Sequence, residues 1–548
     1  MTKLQDGSYL LDFGHVLFGN LLLDPAPNAK GTITVRFGQA LRDGRVDRTP
    51  PGSVSYAEVT VTLDGHRQIV APQANPGHLK PPAVQTPARL GVLLPFRWVE
   101  IAGWPGGFTP RDVRRRAVFD STWNDHAASF HASDPMLDRV WALCHDSIKA
   151  TTFAGIFVDG NRERRPYEAD AYQDQLSYYA GDPNTQMERD TFAYLMKYPT
   201  WPTEWAPQMV FMAYADWMQT ADKAWLAQHY DQLKTKLLLD RVGVDGLVHS
   251  SPVQMQHSDI VDWPAGERDG YVFTPVNTVV NAFYLHALED MRQLALIVGR
   301  NDDASVFAQR ENIGLAAFQR DLFNAKTGLY RDGIGTDHSS LHANLFPLAF
   351  GLVPPDQRAH VAQWLAQRGM RGSVYAAQFL LEGLFENGQA TAALKEMTAA
   401  GDRSWRHMVE SGATITWEAW DLRYKPNDDW THAWGAAPAN LLPRFVLGVQ
   451  VSKPGWADAE IAPHPGDLHF AQGTIPTPRG SLYIRWRRAP NFTLNARLPP
   501  GIKAHIRLPA AEGSQGVWSD GHPIQAHRQN NAWVLDNDLT GSVSLQVR

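Results

Sequence analysis

Up to about residue 125, apolar and polar residues alternate in short runs such as Thr32–Phe37, Glu58–Leu63 and Arg97–Ile101, separated by Gly, Pro and Asp. A period of two rich in β-branched residues predicts the strands of a β-sandwich. The proline-rich stretch Asn75–Pro87 reads as a surface connection. Near residue 130 the period changes. Asp134 and Pro135 supply an N-cap and first-turn signal, and Met136, Val140, Cys144 and Ile148 recur every fourth residue, so a helix begins there. Further helices are predicted at 185–198, 207–219, 222–239, 276–299, 303–321, 355–368, 373–386, 389–399 and 434–447. This unbroken helical run suits an (α/α)6 barrel of paired antiparallel helices. A superhelical solenoid has similar periodicity, but no fixed repeat supports it. After Pro454 alternation returns in Ser481–Trp486, Asn491–Ala496, Ala504–Leu508, Ala532–Leu535 and Ser542–Val547. The expected organisation is an N-terminal antiparallel β-sandwich over 1–125, an (α/α)6 barrel over 126–450 and a C-terminal antiparallel β-sandwich over 451–548.

Composition narrows the function classes. In 548 residues, 51 Lys and Arg are mixed with 57 Asp and Glu, giving a net charge of −6, so no basic field exists to hold nucleic acid. No apolar run reaches membrane-spanning length and the first residues lack the pattern of a signal peptide, so a cytoplasmic protein away from membranes is expected. The single cysteine, Cys144, sits in an apolar helical pattern and reads as a buried structural thiol. The 19 tryptophans are the unusual count, because an indole both fills a core and stacks on a sugar ring.

Two acidic clusters stand out. Residues 158–174 place Asp159, Glu163, Glu168, Asp170 and Asp174 beside Arg162, Arg164 and Arg165, interleaved with Tyr167 and Tyr172, on what reads as a loop entering the helical region. Residues 412–421 set Glu418 between Trp417 and Trp420, with His432 and Trp434 shortly after. Two further segments pair carboxylates with indoles, Pro199–Trp205 and Asp259–Pro264, which offers Trp205, Asp262 and Trp263 as pyranose-binding groups. Signatures of phosphate loops, dinucleotide folds, zinc proteases, cysteine-rich zinc sites and nucleophile elbows are missing, so no cofactor and no metal is expected. Carboxylate-pair chemistry is the class that remains.

The motifs Asp159–Asp170, Asp262–Trp263 with Phe273–Pro275, His342–Ala349, and Gly412–Trp420 running into Thr431–Trp434 make the chain resemble a compact bacterial α-L-rhamnosidase of glycoside hydrolase family 78. The resemblance covers about residues 100–490 and implies an (α/α)6 barrel flanked by β-domains. It also implies exo-acting hydrolysis of terminal α-L-rhamnose with inversion, from small glycosides such as flavonoid rutinosides or oligosaccharides. By motif position Glu163 matches the general acid and Glu418 the general base, for which an inverting enzyme needs carboxyls roughly 6.5–9.5 Å apart. Asp159, Arg162 and Asp170 match positions that hold the sugar or orient the acid, and Trp205, Trp263 and His432 follow by local context. Many members have Asp-Cys-Pro before the Arg and end in Trp-Thr-Gly-Asp. Here the loop is a shorter Asp159-Gly160-Asn161 and the ending is Tyr167-Glu168-Ala169-Asp170, so Tyr167 supplies the aromatic wall and Glu168 is an extra carboxylate competing for the acid role. The indoles expected at the site are Trp205, Trp263, Trp417, Trp420 and Trp434. Another sugar specificity on the same barrel and a non-catalytic carbohydrate-binding protein remain open readings, as does a homodimer.

Overall fold

A computed structural model describes residues 1–511 and 513–548. The N-terminal strands form a seven-stranded antiparallel sheet around the long strand Tyr9–Leu23, which pairs with Leu94–Ala102 and Val113–Ala117. Alternation is faithful in Lys30–Gly38, where Ile33, Val35 and Phe37 are buried against Leu21, Phe96, Val99 and Ile101.

The helices form a closed ring with an outer layer. Glu168–Gly181, Gln208–Thr220, Thr278–Val298, His342–Ala349, Val374–Glu386 and Pro438–Leu441 each contact the next, and the last returns to the first. The outer partners include Pro135–Thr151 (α1), Gln186–Lys197, Lys223–Leu233, Asn301–Leu322, Arg358–Arg368 and Ala390–Thr398. The chain alternates outer and inner, which makes an (α/α)6 barrel. Hydrophobicity sorts the layers. The inner helix Val374–Glu386 is buried over nearly its whole circumference, whereas the outer Asn301–Leu322 buries one stripe, Ala304, Phe307, Gly314, Ala317, Phe318 and Leu322.

Local signals explain the boundaries. The Asn277 side chain caps Thr278–Val298 by accepting from the Val280 amide, and Gly299, at φ +84°, ends it. The helix expected to reach 239 stops at Leu233, and Leu238 turns left-handed at φ +53°. The expected helix at 434–447 keeps only Pro438–Leu441, followed by a π turn over Leu442–Val446 that contains Pro443. Residues 158–174 are loop only as far as Tyr167. Glu168–Gly181 is an inner helix, here called α2, with Glu168 and Asp170 in its first turn. Cys144 is fully buried in α1 and burial pushes its thiol well up.

The C-terminal strands form a seven-stranded and a five-stranded sheet. Two features depart from a self-contained antiparallel domain. Asp458–Ile461 runs parallel to Lys503–Pro509, and the seven-stranded sheet takes its edge strand, Ser129–Ala132, from ahead of the barrel, with Ser129 opposite Thr474. No helix among the described residues is long and apolar enough to cross a membrane.

The barrel buries carboxyls that no Lys or Arg pairs, Asp290 among them. Burial pushes Asp290, on the inner helix Thr278–Val298, up to about 7, with His286 opposing the rise and Glu289 adding to it. The fold thus keeps a proton where the unfolded chain, with a carboxyl pKa of about 4, has lost it. The stability contributed by this group is complete below about pH 4 and is lost as pH rises through 7. Asp290→Asn, which copies the protonated form, is expected to melt well above the parent at pH 8 and nearly level with it at pH 4. Equal melting at both pH values would mean that Asp290 ionises in the fold without penalty.

Candidate active site

Four loops that lead toward the N-termini of inner helices enclose a cavity of about 140 Å³, the scale of one sugar ring. The first is the loop ahead of α2. Its base is closed by the Asp159 amide donating to the Arg165 carbonyl at 2.9 Å and the Arg165 amide to Asp159 Oδ1 at 3.1 Å. Gly160 sits at φ +147°, and a Cβ there would fall 2.9 Å from Asp429 Oδ2 and from the Thr431 carbonyl, so only glycine lets the two acidic clusters meet. Arg164, left-handed at φ +53°, is buried, and its guanidinium donates to Asn161 Oδ1 at 2.7 Å and to the Leu93 carbonyl at 2.5 Å. Asn161 Nδ2 donates to Ser55 Oγ at 2.7 Å. The N-terminal domain therefore braces the loop that carries Glu163.

Arg162 joins the clusters. Its amide donates to Asp429 Oδ2 at 2.8 Å, and its guanidinium donates to both oxygens of Glu418, at 2.5 and 2.7 Å. The same Nη2 lies 3.5 Å from Glu163 Oε1. Glu418 also has Lys425 Nζ at 3.4 Å. Burial raises the Glu418 carboxyl, but the Arg162 hydrogen bonds, the His432 imidazole and the charges of Arg162 and Lys425 outweigh it and hold the group below its usual range. Glu163 keeps its side chain 37% exposed and accepts from the Tyr167 hydroxyl. Asp159 is fully buried, and burial with the nearby Glu163 and Asp170 pushes its carboxyl far up. Asp170, raised by burial, is held by His432 Nε2 at 2.7 Å. Two buried polar atoms of lining side chains, His432 Nδ1 and Trp205 Nε1, have no protein partner.

The apolar half comes from the other loops. Trp205 stands edge-on to Tyr167 and Trp434, with ring centroids 5.7 and 6.2 Å apart, and Trp434 anchors its Nε1 on the Glu418 carbonyl at 3.0 Å. Trp263 and Ile260 complete the wall. Of the expected site residues, the cavity gathers Asp159, Arg162, Glu163, Tyr167, Asp170, Trp205, Trp263, Glu418, His432 and Trp434.

Three expected residues do not line it. Asp262 is fully buried and accepts from His342 Nε2 at 2.7 Å and from Ser373 at 2.8 and 2.5 Å, which leaves it no free oxygen for a ligand. Trp417 is buried, stacked on Trp430 at 5.0 Å, and Trp420 is fully buried with Nε1 donating to the Gly372 carbonyl at 2.8 Å. Though they flank Glu418 along the chain, neither indole lines the cavity. Glu168 is likewise buried, and both its oxygens accept from Thr200, tying α2 to the second loop. Two lining residues were not among the expected site residues: Trp201, 50% exposed at the cavity mouth and within the binding segment 199–205, and Ile260. The spacing of Trp201 and Trp205 between prolines was the available signal for the first, and nothing marked the second. Among the described residues, no group of three or more His, Cys, Asp or Glu is arranged to hold a metal ion.

Comparison with known proteins agrees with this architecture. Residues 125–446 match the family model of the bacterial alpha-L-rhamnosidase 6 hairpin glycosidase domain, residues 448–522 the C-terminal domain of those enzymes and residues 2–80 their concanavalin-like domain. An alpha-L-rhamnosidase of Alteromonas sp. (strain LOR) is 24% identical over 563 residues, which cover 93% of this chain and 56% of that protein. The chain thus spans about half the length of the curated relatives it matches. The fold of the Streptomyces avermitilis alpha-L-rhamnosidase complexed with L-rhamnose superposes with a TM-score of 0.80 at 18% identity, covering 100% of this chain and 52% of that one. The alpha-L-rhamnosidase from Dictyoglumus thermophilum gives 0.79 at 18% identity, covering 100% and 62%. With more than half its length matched by the glycosidase model and both flanking domains in order, the chain belongs to the bacterial α-L-rhamnosidase family of six-hairpin glycosidases.

Proposed function

We propose that the protein hydrolyses terminal α-L-rhamnosides with inversion, Glu163 acting as general acid and Glu418 as general base. The observation that carries the reading is the single guanidinium of Arg162 standing between the two carboxylates in a cavity the size of one sugar. Inversion is taken from the family resemblance, in which the two carboxyls leave room for the attacking water. Glu418, buried and held ionised, takes a proton from the water that attacks the anomeric carbon. Glu163, on the more open side, donates its proton to the glycosidic oxygen as the leaving group departs. The unpaired His432 Nδ1 and Trp205 Nε1 meet sugar hydroxyls, while the indoles cover the C–H faces. Trp201 stands half exposed at the mouth, 6.4 Å from Trp263, where the group leaving past Glu163 emerges. Substrates are small rhamnose-capped glycosides.

An aryl α-L-rhamnoside is expected to be cleaved in preference to the corresponding glucoside, mannoside and galactoside, and no cleavage of any of them sinks the reading. Glu163→Gln and Glu418→Gln should each lower kcat by about 10²-fold or more, the lower range of acid–base catalysis. A leaving group of low pKa should rescue the first variant more than the second. Near-normal turnover in either removes that residue from its role.

Arg162→Gln should move the acidic limb of kcat/KM to higher pH, because Glu418 without its guanidinium takes up a proton earlier as pH falls. A limb that stays in place breaks the link between Arg162 and the base. Trp201→Ala should weaken KM for a rhamnoside with a large flat aglycone by about tenfold, within the range of stacking and apolar contacts, and leave methyl rhamnoside little affected. Equal loss on both substrates would put Trp201 on the sugar and not on the leaving group.

A further inference from the structure

The loop at 260–263 contains a strained turn that the proposed reaction does not use. The Asp262 amide donates to the Ile260 carbonyl at 2.5 Å across Val261, whose φ is +62°. A bond from residue i+2 back to residue i around a positive φ is the rare, strained form of γ-turn, and for a β-branched residue that conformation is a true outlier. All three residues are buried.

Strain of this kind persists only where the surroundings over-determine it, and here two carboxylates do so. Asp262, on the far side, is fixed by Ser373 and His342. Glu204, on the near side and 1% exposed, accepts from the Ile260 amide at 3.1 Å through Oε2 and from the Val261 amide at 2.9 Å through Oε1. The turn has a result at the site. Its first residue, Ile260, and the residue after it, Trp263, line the cavity, and Trp205, the chain neighbour of Glu204, lines it too. Ile260 is the one aliphatic side chain of that wall. A 6-deoxy sugar differs from its 6-hydroxy counterpart by presenting a methyl group where the other presents a hydroxyl, so placement of an aliphatic wall bears on that choice.

We propose that Glu204 is a positioning residue that clamps the left-handed turn at Val261 and thereby sets Ile260 and Trp263 against the deoxy-sugar ring. The proposal rests on the α-L-rhamnosidase reading for its ligand but not for its mechanics. A carboxylate accepts both amides symmetrically, whereas a carboxamide turns its NH2 toward one of them and loses that bond. A glycine at 261 adopts the left-handed conformation freely and needs no clamp.

The first test is thermal melting of Val261→Gly and Val261→Ala. Glycine normally destabilises relative to alanine, and at a strained positive φ the order reverses, so Gly is expected to melt above Ala; the normal order overturns the strain. The second test compares Glu204→Gln, Val261→Gly and the double variant on an aryl α-L-rhamnoside. Glu204→Gln should raise KM about tenfold, the range of a displaced apolar contact, with kcat changed less than about threefold. L-rhamnose binding measured by calorimetry should weaken in parallel, and adding Val261→Gly should recover most of the loss. Additive losses, or an unchanged KM in Glu204→Gln, overturn the clamp. If the parent cleaves no rhamnoside, the functional reading fails while the melting order of the 261 variants still judges the turn. If Glu204→Gln does not fold, recovery of the fold on adding Val261→Gly supports the clamp and failure to recover it overturns the proposal.

Discussion

One guanidinium holds the site together. Arg162 binds Glu418 across 256 residues of chain and touches Glu163 next to it, so a single cation sets the distance between two carboxylates from different loops. Charges removed from water need such partners, and the surroundings are arranged around this one. Gly160 lets the loops approach, the Asp429 carboxylate fixes the Arg162 amide, and Lys425 adds a second cation to Glu418. The neighbouring Asp159 and Asp170 answer the accumulated negative charge differently, with carboxyls driven up by burial. One carboxyl is thereby held below its usual range among others pushed above theirs.

The barrel supplies the geometry and the domain in front of it supplies the brace. Polar lining groups come chiefly from the loops before α2 and around Glu418, and apolar ones from the loops at 201–205 and 260–263. The acid loop is tied through Arg164 and Asn161 to Leu93 and Ser55, so a strand domain without lining residues of its own still sets the orientation of Glu163.

Legibility in the sequence followed the length scale of the signal. Periodicity over a dozen residues gave the helical barrel and its flanking sheets, because burial of one stripe or of a whole circumference leaves a mark in every turn. It missed α2, where the charged Glu168, Asp170 and Asp174 are buried against the usual rule and Pro166 reads as a breaker although it precedes the first turn. Residue chemistry and the family motifs singled out Glu163, Glu418 and Arg162, which line one cavity. Residue chemistry overreached at Trp417, Trp420 and Asp262, since proximity in sequence to a site residue does not say which way a side chain points. It passed over Ile260, whose role comes from a turn at Val261 that no residue preference announces.

The strand Ser129–Ala132 gives the molecule a closure that domain boundaries drawn along the chain conceal. Its pairing with Phe470–Thr477 joins the segment before the barrel to the segment after it, like a clasp fastened outside the ring. Such a contact forms only once the intervening helices have brought its ends together, so it comes late and at the entropic cost of a long loop. In return the barrel and the last sheet share a seam. A cut near residue 450 leaves one fragment with an unsatisfied strand and the other with a bare sheet edge, each open to adventitious pairing. In structural terms the barrel and its C-terminal sheet are therefore one unit.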